Sequence, residues 1–194
     1  MATVKITIDD VGKVLGAIGE LAAKQVLVGI PSSTAGRDDD GPINNAEIGY
    51  VQEHGSPANN VPARPFLVPG VKDEMEPISR QLKRASQSAL DGDKTKSEMA
   101  LKTAGLLGER GARGKISSNI APALKPSTIA NRYRARKTAA RRAGEEAYSS
   151  MVAAGAQAAG MSLSEIQDAA GIVSLVNTGQ LRNALTYVIR KKGD

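Results

Sequence analysis

The chain has no cysteine, no tryptophan, one phenylalanine and one histidine. Without cysteine there is no disulfide framework, no thiolate metal site and no cysteine nucleophile. Aromatic residues make up 3% of the sequence, so its core must be mostly aliphatic. The single histidine, His54, stands near no paired nucleophile in the sequence and reads as structural. G-x-S-x-G is absent, as are His-x-Glu and His-Glu-x-x-His arrays. The glycine-rich GLLGERGARGK lacks the spacing and the preceding strand of a phosphate-binding loop. The expectation is a protein that is not an enzyme and needs no cofactor or metal. No stretch approaches the ~18 apolar residues of a membrane helix. The opening MATVKITIDD has no basic region followed by an apolar one, which predicts a soluble protein that stays where it is made.

What is present is 194 residues, 41% of them hydrophobic. A single domain spanning 1–194 is expected, burying about 70% of the surface of the unfolded chain. The formal net charge of +6 is unevenly distributed. Between Glu109 and Glu145 lie ten basic residues and no acidic one, whereas the rest of the chain is net −4. This excludes a uniformly basic protein that coats nucleic acid. It leaves a mildly acidic body carrying one basic segment, 110–142.

Along the chain, Thr3 to Ile8 alternates as a half-buried strand does. Asp9 or Asp10 then caps a helix with Val11, Val14, Leu15, Ile18 and Leu21 on one stripe. Lys24 to Ile30 reads as a second strand. Residues 32–45 form a long loop rich in turn formers, a candidate contact arm whose Asp38-Asp39-Asp40 run lacks the ligand spacing of a calcium loop. Ala46 to His54 reads as a short helix with Ala46, Tyr50 and Val51 inward, closed by Gly55. Four prolines from Pro57 to Pro69 stiffen the next segment into a ribbon that holds Arg64 and a buried Phe66 in place.

Glu76 to Leu90 predicts a helix with Ile78, Leu82, Ala85 and Ala89 inward. Thr95 to Leu107 predicts another, capped near Asp93, with Met99, Thr103 and Leu106 or Leu107 inward and GERGARGK as a turn after it. Ser127 caps a helix carrying the basic cluster to Arg142, whose charges surround the helix instead of forming a stripe. Residues 143–160 are Ala/Gly-rich and weakly amphipathic, which predicts a segment that is mobile or helical only in an assembly. Ser162 to Glu165 is a capping box, Thr178-Gly179 a turn, and Thr186 to Arg190 a last strand with Tyr187 and Ile189 on one face.

Several segments together resemble a known family. They are Val28-Gly29-Ile30-Pro31; Ala46 to Gly55 (AEIGYVQEHG); Val61 to Leu67 (VPARPFL); Ala123 to Ala130 (ALKPSTIA); and Leu175 to Tyr187 (LVNTGQLRNALTY). In this order they resemble the tail-completion, or virion morphogenesis, proteins of the head–tail neck of long-tailed bacteriophages. RPF and TGQL together make the pattern specific. The resemblance implies an α+β fold: a small antiparallel sheet with strands near 3–8, 25–30 and 184–190, packed with several helices, with a long loop at 32–45. The helical insertion at 137–171, within a basic and Ala-rich stretch from about 132 to 171, has no counterpart in the pattern.

The resemblance implies a structural virion protein that completes or joins the tail to the head, made in the host cytoplasm and acting as a homo-oligomeric ring, commonly a hexamer. Its implied partners are neighbouring adaptor or stopper proteins, the tail terminator or tail tube, and genomic DNA in the lumen, with no membrane. Arg64, Pro65, Phe66, Thr178, Gly179 and Leu181 carry over as structural or interface residues. Arg132, Arg134, Arg136, Lys137, Arg141 and Arg142 are candidates to face the DNA channel or a partner. Two alternatives are a tail terminator capping the tube and a non-specific DNA-binding protein using 110–142. Phosphate binding requires only positive charge, whereas the lack of interleaved aromatics argues against a base-stacking single-strand binder.

Overall fold

A computed structural model of the chain describes residues 11–38, 42–135 and 139–193, with the backbone alone for 139–141. The strand expected at Thr3 to Ile8 lies outside the described residues. The fold is α+β. Helix α1 (Val11–Ala23) runs directly into strand β1 (Lys24–Gly29), which pairs antiparallel with the C-terminal strand β2 (Thr186–Lys191). In this register Val26 faces Ile189 and Val28 faces Tyr187. These are the only two strands among the described residues.

One side of the sheet packs on α5 (Lys94–Ser117), which forms a hairpin with α4 (Met75–Leu90). Val26, Ile189 and Leu21 of α1 close over Ala85, Ala100 and Leu101. The main core lies at the other end of α5, where Ala112 and Ile116 meet Phe66, Leu175, Leu181 and Leu185. A second core, formed by Leu124, Ile129, Tyr148, Ile166, Ala170 and Ile172, belongs to α6 (Pro126–Ala135), α7 (Ala139–Ala153), α8 (Leu163–Ala169) and their flanks. No helix among the described residues is long and apolar enough to cross a membrane.

Several expectations are corrected. GERGARGK is not a turn: α5 runs unbroken through it. Three glycines of α5, Gly105, Gly108 and Gly111, are where other elements approach the helix. A Cβ on Gly105 would stand 2.2 Å from the Tyr187 ring, one on Gly108 2.8 Å from Val28 Cγ2, and one on Gly111 2.2 Å from the Gly70 carbonyl oxygen. Close packing therefore outweighs the ~1 kcal/mol that each glycine costs a helix interior. The inward stripe of α5 is the small-residue one, Leu101, Ala104, Gly105, Gly108, Ala112 and Ile116, while Met99 is 62% exposed and Thr103 and Leu106 face outward. On α4, Ala85 and Ala89 are buried as expected, with Ser88, whereas Leu82 is 40% exposed.

The Ala-rich tract is ordered within the chain itself: Tyr148 is buried, and Ala147, Met151, Val152 and Ala156 pack against the second core. The helix read from Ser127 starts one residue earlier, with Pro126 in its first position, where a missing N–H costs nothing. The description of α6 ends at Ala135 and that of α7 begins at Ala139.

The stripe expected on α1 points largely to solvent. Leu15 is 63% exposed, Val11 and Ile18 are exposed as well, and Leu21 is the residue that reaches a core.

Candidate functional site

Four of the five segments that carry the resemblance converge on Phe66, which is 2% exposed, while the fifth, 123–130, contributes Leu124 and Ile129 to the second core. Helix α2 (Asn45–His54) begins with a capping box. The Asn44 carboxamide oxygen accepts from the N–H groups of Ala46 and Glu47, and the Glu47 carboxylate accepts from Asn44 N–H. Its inward residues are Asn45, Ile48 and Gly49, correcting the expectation for Tyr50, which is 67% exposed. Gly49 lets Ile30, Leu181 and Phe66 approach: a Cβ there would meet them at 3.1, 3.5 and 3.7 Å. Elements from four distant stretches of chain thus share one joint.

Glu53 organises the next step. Its carboxylate accepts from the N–H groups of Phe66 at 2.7 Å, Leu67 at 2.8 Å and Val68 at 3.0 Å. These are free donors at the start of α3 (Leu67–Asp73), and a negative charge suits that end of a helix. The ribbon therefore becomes helical at Leu67, earlier than its prolines imply, with Pro69 in the first turn. Gly55, at φ 78°, is required for a different reason: a Cβ would lie 2.8 Å from Ala63 N. The chain folds back here, and Arg64 N–H donates to the Gln52 carbonyl at 2.6 Å.

Arg64 is 5% exposed. Its Nε and Nη2 donate to the Pro122 carbonyl at 3.1 and 2.7 Å, and Nη2 also reaches the Ala123 carbonyl at 3.5 Å. Burial pulls its pKa below the ordinary arginine value. Pro65 is exposed beside it. Thr178 is exposed too, its hydroxyl accepting from Gln180 N–H, and Gly179 supplies the left-handed conformation at φ 85° that opens α9 (Gln180–Ala184). Leu181 follows into the core.

The described near limb of the long loop docks on its own chain. Thr34 Oγ1 donates to the Ala184 carbonyl at 2.7 Å, Asp38 N–H to Gln180 Oε1 at 3.2 Å, and Asn45 Nδ2 to the Gly36 carbonyl at 2.7 Å. Asp39 and Asp40 lie outside the described residues. His54 Nδ1–H donates to the Tyr50 carbonyl at 3.0 Å, and its ring stacks on Tyr50.

The basic segment looks different in space from its appearance in sequence. Arg110 makes two hydrogen bonds to Glu74, Arg113 pairs with Glu109 and donates to the Leu185 carbonyl, and Lys115 pairs with Asp73. Arg132 is turned inward: Nη2 donates to the Ser174 carbonyl at 2.7 Å, and Nη1 to those of Val173 at 3.2 Å and Val176 at 3.3 Å. It thereby clamps α6 to the segment that links the two cores. Arg142 lies over the Tyr133 ring at 5.1 Å. Arg134 is exposed and, among the described residues, bonds Asn131 alone. Arg136 and Lys137 lie outside the described residues, as does the side chain of Arg141.

Two polar devices, one of them buried, have no signal in the sequence. Gln167, 1% exposed, pairs with Leu124 in both directions: Oε1 accepts from Leu124 N–H at 2.8 Å and Nε2 donates to its carbonyl at 2.7 Å. Asn119 donates to the Ile172 carbonyl and accepts from Ser174 N–H and Oγ. The Asn44–Glu47 box did have a signal, the N-x-x-E spacing ahead of an apolar pattern.

Beside the joint, α2, the ribbon and residues 122–128 enclose a groove of about 750 Å³. Arg64, Lys125 and Arg132 line it, with His54 and Thr128. No group of three or more His, Cys, Asp or Glu among the described residues is placed to hold a metal ion. The chain matches no protein-family model, no curated protein and no solved structure.

Proposed function

We propose that this chain is a structural subunit of the head–tail neck of a long-tailed bacteriophage, completing or joining the tail as one copy of a homo-oligomeric ring. The observation that carries the reading is the joint around Phe66. Stretches as far apart as Ile30, Gly49, Phe66 and Leu181, each within a motif of the resemblance, pack against one another. Four of the five motifs of the resemblance therefore share one joint, and the fifth lies in the second core. The exposed Val11, Leu15 and Ile18 on α1 support an assembled subunit over a solitary one, since apolar surface held in water is a common mark of an interaction site. In this reading the ring, a hexamer by the resemblance, surrounds the DNA channel and meets adaptor, stopper, terminator or tube proteins at its faces.

A free DNA-binding protein is less well supported, because Arg110, Arg113, Lys115 and Arg132 are engaged within the chain. The deciding experiment is electron microscopy of assembled particles, with the chain located by antibody labelling. Density for a ring between head and tail is the expected result. Purified virions free of the protein would sink the structural reading.

A further inference from the structure

The groove beside the joint combines three observations. Arg64 is buried to within 5% of full enclosure, yet among the described residues it has no carboxylate partner; its bonds go to two backbone carbonyls through Nε and Nη2, and Nη1 makes no hydrogen bond. Lys125, at the groove's rim, is exposed and likewise makes no ion pair among the described residues. No described residue lining the groove is acidic, although Arg64, Lys125 and Arg132 all line it. A guanidinium withdrawn from water keeps its charge, and carbonyl dipoles compensate it only in part. The strongest available complement is a carboxylate, which matches the fork of an arginine.

We propose that this groove is a docking site for an acidic peptide segment of a partner protein, with Arg64 as the recessed anchor and Lys125 as the rim charge. The walls favour a peptide. Val61 and Pro62 on one side and Pro122 and Leu124 on the other are apolar, and suit the backbone and stems of an extended chain. A Glu or Asp side chain can reach down to a recessed guanidinium. Phosphates on a nucleic acid backbone need cations that stand proud of the surface, as Arg134 does on another side of α6. Arg132 adds positive field at the groove while its guanidinium donates to the carbonyls of Val173, Ser174 and Val176. This inference does not rest on the neck reading: it concerns the isolated chain in solution and survives or fails independently of where the protein sits.

The test is a fluorescence anisotropy titration of the full chain with labelled hexaglutamate, hexaglutamine and a single-stranded oligothymidylate of equal charge. Hexaglutamate is expected to bind, increasingly weakly as salt is raised, and hexaglutamine not to bind. Lys125→Glu and Thr128→Glu change the groove without touching the Arg64 bonds, and each should weaken hexaglutamate binding by about tenfold or more, equivalent to about 1.4 kcal/mol. Arg134→Glu, the same change of sign or greater at a site outside the groove, should alter it by less than about twofold. No binding of hexaglutamate, equal or tighter binding of oligothymidylate, or an equal loss in Arg134→Glu would each overturn the proposal.

Discussion

Phe66 and Glu53 show how much of this joint depends on single side chains. Phe66 is fully enclosed by residues from both halves of the chain. Phe66→Ala should cost about 3–5 kcal/mol, measured by urea denaturation; a loss under about 0.5 kcal/mol would place it with surface residues. Glu53 answers three N–H groups at once, so Glu53→Ala leaves the start of α3 without its cap and its negative charge. A loss of about 1–3 kcal/mol is expected, the range for a buried donor left unsatisfied, with Glu53→Gln recovering part of it. Phe66 was legible in the sequence as the lone phenylalanine on a proline-stiffened ribbon. Glu53 was not, because its partners lie thirteen to fifteen residues away and no local spacing marks such a cap.

Helix α5 turns on its glycines. Gly105 faces the Tyr187 ring with no room for a methyl group, whereas Gly114 has nothing within 4 Å of where a Cβ would stand. Gly105→Ala should therefore destabilise the chain by about 1–3 kcal/mol through overpacking. Gly114→Ala should stabilise it by about 0.5–1 kcal/mol through helix propensity alone. Opposite signs for one substitution on one helix, read from thermal melts, separate packing from propensity. The same helix starts at Asp93, whose carboxylate accepts from Lys96 N–H and pairs with the Lys96 ammonium, both holding its pKa below the usual value. A lowered carboxylate pKa contributes stability that is present above the unfolded-state value of about 3.9 and is lost as pH falls through the folded-state value. Asp93→Asn keeps a capping oxygen without the charge, so its Tm should fall less steeply than that of the parent below that pH. Gly108, Gly111 and Gly114 read as a turn in the sequence because glycine serves turns and close helix contacts equally well, and only the approaching element tells them apart.

At the scale of the molecule, two cores are held together by polar clamps. Arg132 binds the carbonyls of Val173, Ser174 and Val176, Asn119 binds the same segment, and Arg64 holds Pro122 at the entrance to α6. Arg132→Met should raise amide hydrogen exchange in α6, α7 and α8 while leaving the α4–α5 hairpin protected. Uniform loss of protection would mean that the two cores unfold as one. Arg132 is consequently a poor choice for testing DNA binding, since its loss would disturb the fold; Arg134 is the residue that isolates charge. The sequence by itself determined the elements whose cause is local: β1 from its run of apolar residues, α8 from its capping box, the turn at Gly179, and the alternation that faces Tyr187 and Ile189 to one side of β2. It also carried the resemblance from which the neck reading starts. Tertiary structure alone decided which side of α5 is buried, that the Ala-rich tract packs into a second core, and that much of a seemingly free basic segment is engaged with Glu74, Glu109, Asp73 and backbone carbonyls. The reason is one of range: propensity, capping and periodicity act over a few residues, whereas charge neutralisation and close packing depend on partners that only the fold brings within a few ångströms.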